Sequence, residues 1–192
     1  MKAPRGFSLV ELVIGMVILA VLLSIAVPAF SNWLRNARVR TAAESVQNGL
    51  QLARAEAVRR NNAVRFSLVT TTDDACALAV AGPSWVVSMD DPAGKCATPA
   101  SDTVDPRIIQ SRNGAEGSSA TTIAAGQSTF VFNSLGRVTP TPAGNVAIDI
   151  SSPTAACMAT GPVRCLRSVV SIGGQIRMCD PALPSGDAQG SC

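Results

Sequence analysis

An apolar run near the N-terminus constrains this 192-residue chain more than any other feature of its sequence. In the stretch RGFSLVELVIGMVILAVLLSIAVPAF, Arg5 to Phe30, the only charged side chain after Arg5 is Glu11. As a helix, the residues from Leu12 to Phe30 would rise about 28 Å, against a bilayer hydrocarbon core of roughly 30 Å. The run is therefore long enough to span a membrane, and its single carboxylate needs a physical reason.

Three interpretations of this N-terminus compete. An ordinary signal peptide could be cut near Val27-Pro28-Ala29, but the apolar run exceeds the usual length of about 7–15 residues and contains a carboxylate. A plain signal anchor would leave Glu11 without a role, although a carboxylate in the bilayer costs about 2–3 kcal/mol. The third interpretation is a processed membrane anchor in which the carboxylate has a partner.

The third interpretation rests on a resemblance. The basic leader MKAPRG, followed by FSLVE and the apolar helix, resembles the class III signal of type IV prepilins and type II secretion pseudopilins. The resemblance implies that a prepilin peptidase cuts after Gly6 and that the new N-terminal residue, Phe7, is methylated. It also implies that Glu11 neutralises the N-terminal amine of a neighbouring subunit in a filament core, which partly offsets its desolvation.

The cysteines indicate an oxidising compartment for the rest of the chain. All six follow the apolar run, and their even number predicts three disulfides. Of the fifteen possible connectivities, sequence order favours the neighbouring pairs, which are Cys76–Cys96, Cys157–Cys165 and Cys179–Cys192. A zinc site is disfavoured because no Cys-x-x-Cys pair exists, and the lack of histidine excludes His-ligated metals and His-dependent catalysis.

The helical period continues beyond the apolar run. One apolar stripe follows the spacing of a helix and consists of Val39, Ala43, Val46, Leu50, Ala53 and Ala57. Pro28 is expected to kink this long helix, and Asn61-Asn62 is expected to end it. The chain then changes to short β-rich pieces: AVRFSLV, CALAVAG, WVVSM, RIIQS, TFVFN, NVAIDIS, RCLRSVVS and QIRMC. The stretches DDPAGKCATPASD and RNGAEGSSATT are predicted to be exposed loops.

These patterns predict an α+β protein in which a long N-terminal helix packs on an antiparallel β-sheet domain. The resemblance implies the type IV pilin-like version of that fold. The predicted parts are a cytoplasmic leader (1–6), a transmembrane and filament-core helix (7–30), its amphipathic continuation (31–62) and a disulfide-bearing β domain (63–192).

Two stretches in the β part restrict the resemblance to one group of pilin-like proteins. TFVFNSLGRVT (Thr129 to Thr139) followed by VVSIGGQIRMCDP (Val169 to Pro181) is similar to the GspH/FimT group of minor pilins and pseudopilins. This similarity implies a structural subunit that helps to initiate or cap a type IV pilus or a type II secretion pseudopilus. The implied partners are other pilins, the prepilin peptidase and an inner-membrane assembly platform. The implied location is the inner membrane, with the C-terminal domain in the periplasm and a place at a filament tip.

No catalytic machinery is predicted. The adjacent carboxylates Asp73-Asp74 and Asp90-Asp91 are interpreted as solvated loop residues, because both pairs lie in turn-like contexts. On a strand, adjacent side chains would point to opposite faces and could not form one acid/base or metal site. The sequence has no Gly-rich phosphate loop and no activated nucleophile, so neither an enzyme activity nor a cofactor or metal is predicted. A plain anchored periplasmic domain without a filament remains a further hypothesis.

DNA binding is the more specific of the alternative functions. Some FimT-type minor pilins bind DNA through a Gly-Arg-x-Arg motif in the C-terminal hairpin, and the matching stretch here is Gly174-Gln175-Ile176-Arg177. The neutral Gln175 cannot release a phosphate counterion, and the net charge of +3 is modest. The aromatic residues Trp85, Phe130 and Phe132 are assigned to the core rather than to a base-stacking surface.

The predicted register of the hairpin also weakens the DNA hypothesis. If Gly173-Gly174 form a two-residue turn, Val170 faces Arg177, and Arg167 points to the opposite side of the sheet. Two interpretations of Arg164, Arg167 and Arg177 remain: a basic patch at the rim of the hairpin that contacts DNA, or solvated strand arginines, and the second is favoured.

Overall fold

A computed structural model of the protein describes residues 9–118, 120–158, 161–184, 190 and 192. The chain divides into two compact units between Leu34 and Arg35. Helix α1 (Leu9–Arg60) contributes its first half to the N-terminal unit and its second half to the C-terminal unit. The described strands all belong to the C-terminal unit, so this unit has the predicted α+β composition.

The C-terminal unit contains two antiparallel sheets and a short helix. The elements after α1 are β1 (Val64–Val69), β2 (Ser84–Ser88), β3 (Ile108–Arg112), α2 (Ala115–Ser118), β4 (Thr122–Ala125), β5 (Thr129–Phe132), β6 (Val138–Thr139), β7 (Val146–Ser151), β8 (Leu166–Val170) and β9 (Ile176–Cys179). The five-stranded sheet has the order β3-β2-β1-β5-β6, and the four-stranded sheet has the order β4-β7-β8-β9. All of their strand pairs are antiparallel.

The predicted apolar stripe of α1 is confirmed as its packing face. Its six members are fully buried: Val39, Ala43, Val46, Leu50, Ala53 and Ala57. They share one core with Phe66 and Phe130 of the five-stranded sheet and with Ile148 of the four-stranded sheet. Burying these side chains removes apolar surface from water, which is the main favourable contribution to folding. The second half of α1 therefore holds both sheets together.

The aromatic residues that the sequence assigned to the core lie there. Trp85 is 2% exposed, and Phe130 and Phe132 are fully buried. The indole N–H of Trp85 donates to Ser45 Oγ of α1 over 3.0 Å, and its ring lies 5.5 Å from that of Phe66. These aromatic faces are occupied by the protein itself and offer no surface on which bases could stack.

Helix α1 ends where the sequence predicted, at an asparagine in the left-handed conformation. Asn61 has φ 48°, its N–H donates to the carbonyl of Val58, and the N–H of Asn62 donates to the carbonyl of Ala57. These two hydrogen bonds form a Schellman motif, which satisfies carbonyls that the end of a helix otherwise leaves free. Asn61, the first residue after α1, tolerates the positive φ better than a larger residue would.

Two predictions of local structure were wrong. The stretch CALAVAG is not a strand, since only Leu78 and Ala81 in it make isolated bridges. The stretch RNGAEGSSATT is not only loop, because it contains α2 and the first residue of β4. Leu78 bridges Val69 at the end of β1, whereas Ala81 bridges Ala124 of β4, and the carbonyl of Val80 accepts a hydrogen bond from the N–H of Ala125. Few β-branched residues mark these segments, so tertiary pairing rather than local propensity decides their structure.

The six cysteines form three disulfides, and the structure contains no free cysteine. The pairs are those that sequence order favoured: Cys76–Cys96, Cys157–Cys165 and Cys179–Cys192. The first pair lies in a small second core with Val69, Val86 and Ile108. This disulfide therefore contributes buried apolar surface as well as a cross-link between the β1–β2 and β2–β3 connections.

The turns that precede β6 and β9 pack against each other. Gly136 (φ +70°) and Gly174 (φ +79°) both adopt the left-handed conformation, whereas Gly173 does not. A Cβ at position 174 would overlap the carbonyl oxygen of Gly136. The latter oxygen also accepts a hydrogen bond from Arg54 Nε of α1 over 3.2 Å. The contact between the turns therefore joins the two sheets beside the helix.

Replacing Gly174 with alanine is expected to destabilise the C-terminal unit by about 2–4 kcal/mol, because the change combines a strained φ with an overlap against backbone. Gly173→Ala is the matched control. A Cβ at position 173 has Ser171 Oγ as its nearest neighbour at 3.8 Å, and the expected change is within about 0.5 kcal/mol. Denaturant unfolding of residues 35–192 measures both values. Equal stability of the two variants would contradict the contact between the turns.

Candidate functional site: the apolar helix and the C-terminal hairpin

The N-terminal part of α1 is an apolar surface that no other described residue of the chain covers. Every described residue from Leu9 to Phe30 is exposed. The helix is long and apolar enough to cross a membrane by length and composition. Ordinary soluble domains rarely expose an apolar surface this large. A membrane or other protein subunits must therefore cover it.

Glu11 is the single charged residue on this surface, and it lies beside a glycine. Glu11, Gly15 and Leu19 are spaced by four residues and therefore share one face of the helix. They line a shallow depression together with Leu12 and Met16. A Cβ at Gly15 would have no heavy atom within 4 Å. The carboxylate therefore has open space beside it, and among the described residues no side chain of the same chain forms an ion pair with it.

The predicted processing site, Gly6 and Phe7, lies outside the described residues. Pro28 lies within α1, and the helix continues through it to Arg60. The carbonyl of Pro28 accepts a hydrogen bond from Ser31 Oγ over 2.9 Å. The kink expected at Pro28 stays a prediction.

An aromatic pair at the end of the apolar run was missed by the sequence reasoning. Phe30 and Trp33 lie on the same face of α1, and their ring centroids are 5.8 Å apart in a stacked arrangement. Both side chains are 63% exposed. The signal that could have found the pair was a tryptophan directly after a membrane-length run, because tryptophan is enriched at membrane–water interfaces.

The register of the β8–β9 hairpin differs from the predicted one by a residue. Val169 pairs with Arg177 and Val170 pairs with Ile176, whereas the sequence predicted that Val170 faces Arg177. The reason is the turn, since Ser171 N–H donates to the carbonyl of Gln175, and three residues lie between them. Because one residue of slip moves side chains to the other face, Arg167 and Arg177 share the outward face of the sheet rather than opposite faces.

Two of the three candidate DNA-contacting arginines form ion pairs within the chain. Arg164 Nε lies 2.5 Å from Asp180 Oδ2, and Asp180 is buried. Arg167 Nε lies 2.6 Å from Asp149 Oδ1, and this hydrogen bond raises the pKa of the Arg167 guanidinium. Arg177 is exposed and donates to the carbonyl of Cys192 over 3.3 Å. The hairpin therefore presents less free positive charge than its number of arginines suggests.

The paired acidic residues stabilise loops rather than form a reaction centre. Asp73, Asp74 and Asp91 each accept a hydrogen bond from a backbone N–H of the loops around the first disulfide. Asp90 accepts two hydrogen bonds of 2.7 Å from Arg107, which lower the pKa of its carboxyl. Within the described ranges no cluster of three or more His, Cys, Asp or Glu side chains could hold a metal ion.

A long exposed apolar helix and a disulfide-bearing β domain packed on its second half define a pilin-type subunit. Residues 42–174 match the family described as type II transport protein GspH, and residues 1–27 match the prokaryotic N-terminal methylation motif. The chain therefore belongs to the GspH family of pilin-like proteins, which are structural subunits and not enzymes. Membership implies assembly with other pilins, processing by the prepilin peptidase and an inner-membrane anchor.

Two crystal structures of the type IV minor pilin FimU from Pseudomonas aeruginosa strain PAO1 have a similar fold. The TM-scores are 0.52 and 0.50, with 18% sequence identity in both comparisons. The similarity covers 80% of this chain and 94% or 98% of the FimU chain. At this identity the comparison shows the shared fold alone. A search of functionally curated proteins found no match.

Mass spectrometry of the protein isolated from cell membranes is expected to show a mature chain that begins at Phe7 and carries one N-terminal methyl group. The expectation follows from the match of residues 1–27 to the methylation motif. A mature chain that begins at Phe30 would indicate an ordinary signal peptide, and an uncut chain that begins at Met1 would indicate a plain anchor.

Proposed function

We propose that this protein is a minor subunit that helps to initiate or cap a type IV pilus or a type II secretion pseudopilus. The observation that carries the proposal is the uncovered apolar face of α1 from Leu9 to Phe30, which contains the single carboxylate of Glu11. A face of this kind can pack against equivalent helices in a filament core. The name of FimU, a type IV minor pilin, supports a minor role, and the family description, a type II transport protein, supports the secretion pseudopilus as the second possible filament.

The position of Glu11 supports a specific contact in such a core. A carboxylate that is transferred into an apolar helix bundle loses its hydration, and this loss is offset only by a partner of opposite charge. The chain itself supplies none among the described residues, whereas the methylated amine of Phe7 in a neighbouring subunit carries a positive charge. The open space at Gly15 gives the neighbouring chain room to approach.

Location in the filament tests the proposal. A deletion strain is expected to make fewer filaments of ordinary length, because an initiating subunit limits how often assembly starts and not how far it proceeds. A tagged copy that restores filament number is expected to be found by gold labelling at filament ends. Labelling along the whole length would contradict a tip position, and unchanged filament number would contradict a role in initiation.

DNA binding by the C-terminal hairpin is the second candidate function. The observation in its favour is that Arg167 and Arg177 share one face of the sheet. The observations against it are the ion pairs of Arg164 with Asp180 and of Arg167 with Asp149. A paired guanidinium already has a carboxylate where a phosphate would bind, so it gains less from a phosphate contact. This function therefore ranks below filament assembly.

In a salt titration, residues 35–192 are expected to bind duplex DNA only marginally. If about two phosphates are contacted, the slope of log K against log salt is about −1.8, which leaves little affinity at physiological salt. Gln175→Arg should strengthen the binding if the hairpin contacts DNA, because it adds a positive charge two positions before the exposed Arg177. Tight binding by the unmodified domain, lost in Arg177→Ala, would make DNA capture the primary function.

A further inference from the structure

The two tryptophans of the chain differ in exposure: Trp33, which stacks on Phe30, is exposed, whereas Trp85 is buried. Trp85 is 2% exposed, and its indole N–H donates to Ser45. Trp33 is 63% exposed, and in the described structure its ring contacts the Phe30 ring. An indole combines a large apolar body with one N–H donor, so an environment that is apolar on one side and polar on the other suits it. Neither water nor the middle of a bilayer meets both requirements.

We propose that the Phe30–Trp33 pair binds the interfacial region of a phospholipid bilayer and fixes the depth of the helix in the membrane before assembly. The inference rests on the proposed function, in which the subunit is held in a membrane until it enters a filament. The pair is continuous with the exposed apolar run that ends at Phe30, which supplies the reason to choose lipid as its partner. Bilayer interfaces are where tryptophan is enriched in membrane-spanning helices.

Because Trp33 and Glu11 lie on one helix, an anchor at Trp33 also fixes the position of Glu11 in the bilayer. Both residues lie in the N-terminal unit and on the same continuous helix. Their separation of 22 positions corresponds to about 33 Å of helix, which is close to the hydrocarbon thickness of roughly 30 Å. When Trp33 lies at one interface, Glu11 lies at the opposite interface. Its carboxylate then meets headgroups and water instead of the bilayer centre.

Glu11 and Trp33 thus mark the two ends of the membrane-spanning segment. The Phe30–Trp33 anchor explains how the membrane tolerates the carboxylate of Glu11. Glu11 keeps its hydration while the subunit waits in the bilayer, and it loses that hydration only on transfer into a filament. A deeper or shallower position would expose apolar residues at one end or draw the carboxylate into hydrocarbon at the other. The aromatic pair sets the position that avoids both.

Quenching of tryptophan fluorescence tests this placement. The full-length mature protein is reconstituted in vesicles of phosphatidylcholine with a minor share of phosphatidylglycerol, and flotation with the vesicles verifies insertion. The variant Trp85→Phe leaves Trp33 as the only tryptophan. Its emission is expected to lie at shorter wavelength than that of an indole in water. It is also expected to fall more with a nitroxide lipid labelled near the headgroup than with one labelled deep in the acyl chain.

Two further variants control the measurement. Trp33→Phe leaves only Trp85, which is buried in the other unit, and its emission is expected to be unaffected by either lipid. If Trp85→Phe fails to fold, the difference between wild type and Trp33→Phe isolates the Trp33 signal. Leu22→Trp in a Trp33→Phe, Trp85→Phe background places an indole halfway between Glu11 and Trp33, and the deep label should quench it more strongly.

The outcomes separate this inference from the proposed function. Protein that floats with the vesicles but has an unquenched, water-exposed Trp33 would overturn the lipid anchor while membrane insertion stands. That result would make a neighbouring subunit the partner of the aromatic pair. Stronger quenching of Trp33 by the deep label would likewise overturn the inference. Failure to float at all would contradict the membrane-held subunit on which the proposed function depends.

Discussion

Replacing Glu11 with alanine is expected to leave the protein inserted and processed but to reduce its recovery in filaments or initiation complexes more than about tenfold. Removing one member of a buried ion pair typically costs about 3–5 kcal/mol, because the other charge stays buried without a partner. In the proposed assembly that other charge is the N-terminal amine of a neighbour. Processing should be unaffected, since Gly6 is unchanged.

The comparison of sheared-filament and membrane fractions measures this effect. Glu11→Gln keeps the size of the side chain and removes its charge, so it should behave like Glu11→Ala if the charge is what matters. Glu44→Ala is a control on the same helix, because Glu44 forms only an exposed ion pair with Arg40. Equal incorporation of Glu11→Ala and wild type would show that the carboxylate does not pair with a neighbouring subunit.

Removing the Cys76–Cys96 disulfide by a double serine substitution is expected to lower the free energy of unfolding of residues 35–192 by at least about 3 kcal/mol. The chain-entropy estimate for a loop of this length is about 3.3 kcal/mol. Both cysteines are also nearly fully buried beside Val69, Val86 and Ile108, so the hydroxyls would enter an apolar site. The loss should therefore exceed the entropic value alone.

The Cys157–Cys165 pair provides a matched comparison. Its sequence separation is 8 against 20 for the first pair, and the entropic estimate falls to about 2.6 kcal/mol. Denaturant unfolding of the two double variants should rank the first pair as the more important. Peptide mapping without reductant should find no free thiol in protein from the cell envelope. Free Cys76 and Cys96 there would refute the oxidising compartment.

The long helix was predictable because its signals are local and repeated. The period from Val39 to Ala57 marks the buried face, and Asn61 marks the end through its tolerance of positive φ. The type of domain followed from the cysteines and the short β-rich pieces. The strand β4 was not predictable, because its short sequence Thr-Ile-Ala-Ala is a weak strand signal. Its structure is decided by pairing with β7 and by the bridge of Ala124 to Ala81, 43 positions earlier.

The candidate site was predictable in part. The exposed carboxylate of Glu11 could be found from its contrast with the apolar run around it. The hairpin register could not, because two adjacent glycines do not reveal that Gly174 alone adopts positive φ. The partners of Arg164 and Arg167 were also hidden, since Asp180 and Asp149 meet them only through the register of neighbouring strands. Charge that appears free in the sequence is therefore paired in the fold.

The order of the three disulfides has a consequence for export. Each bond joins a cysteine to the next one along the chain, with sequence separations of 20, 8 and 13, and no bond encloses or crosses another. In a chain whose N-terminus stays anchored, the cysteines leave the translocation channel in that same order. Oxidation of each thiol with the one that emerges next gives the native set. An oxidant that carries a disulfide, and is itself reduced to the dithiol at each step, is then sufficient. A disulfide isomerase should be dispensable for this protein.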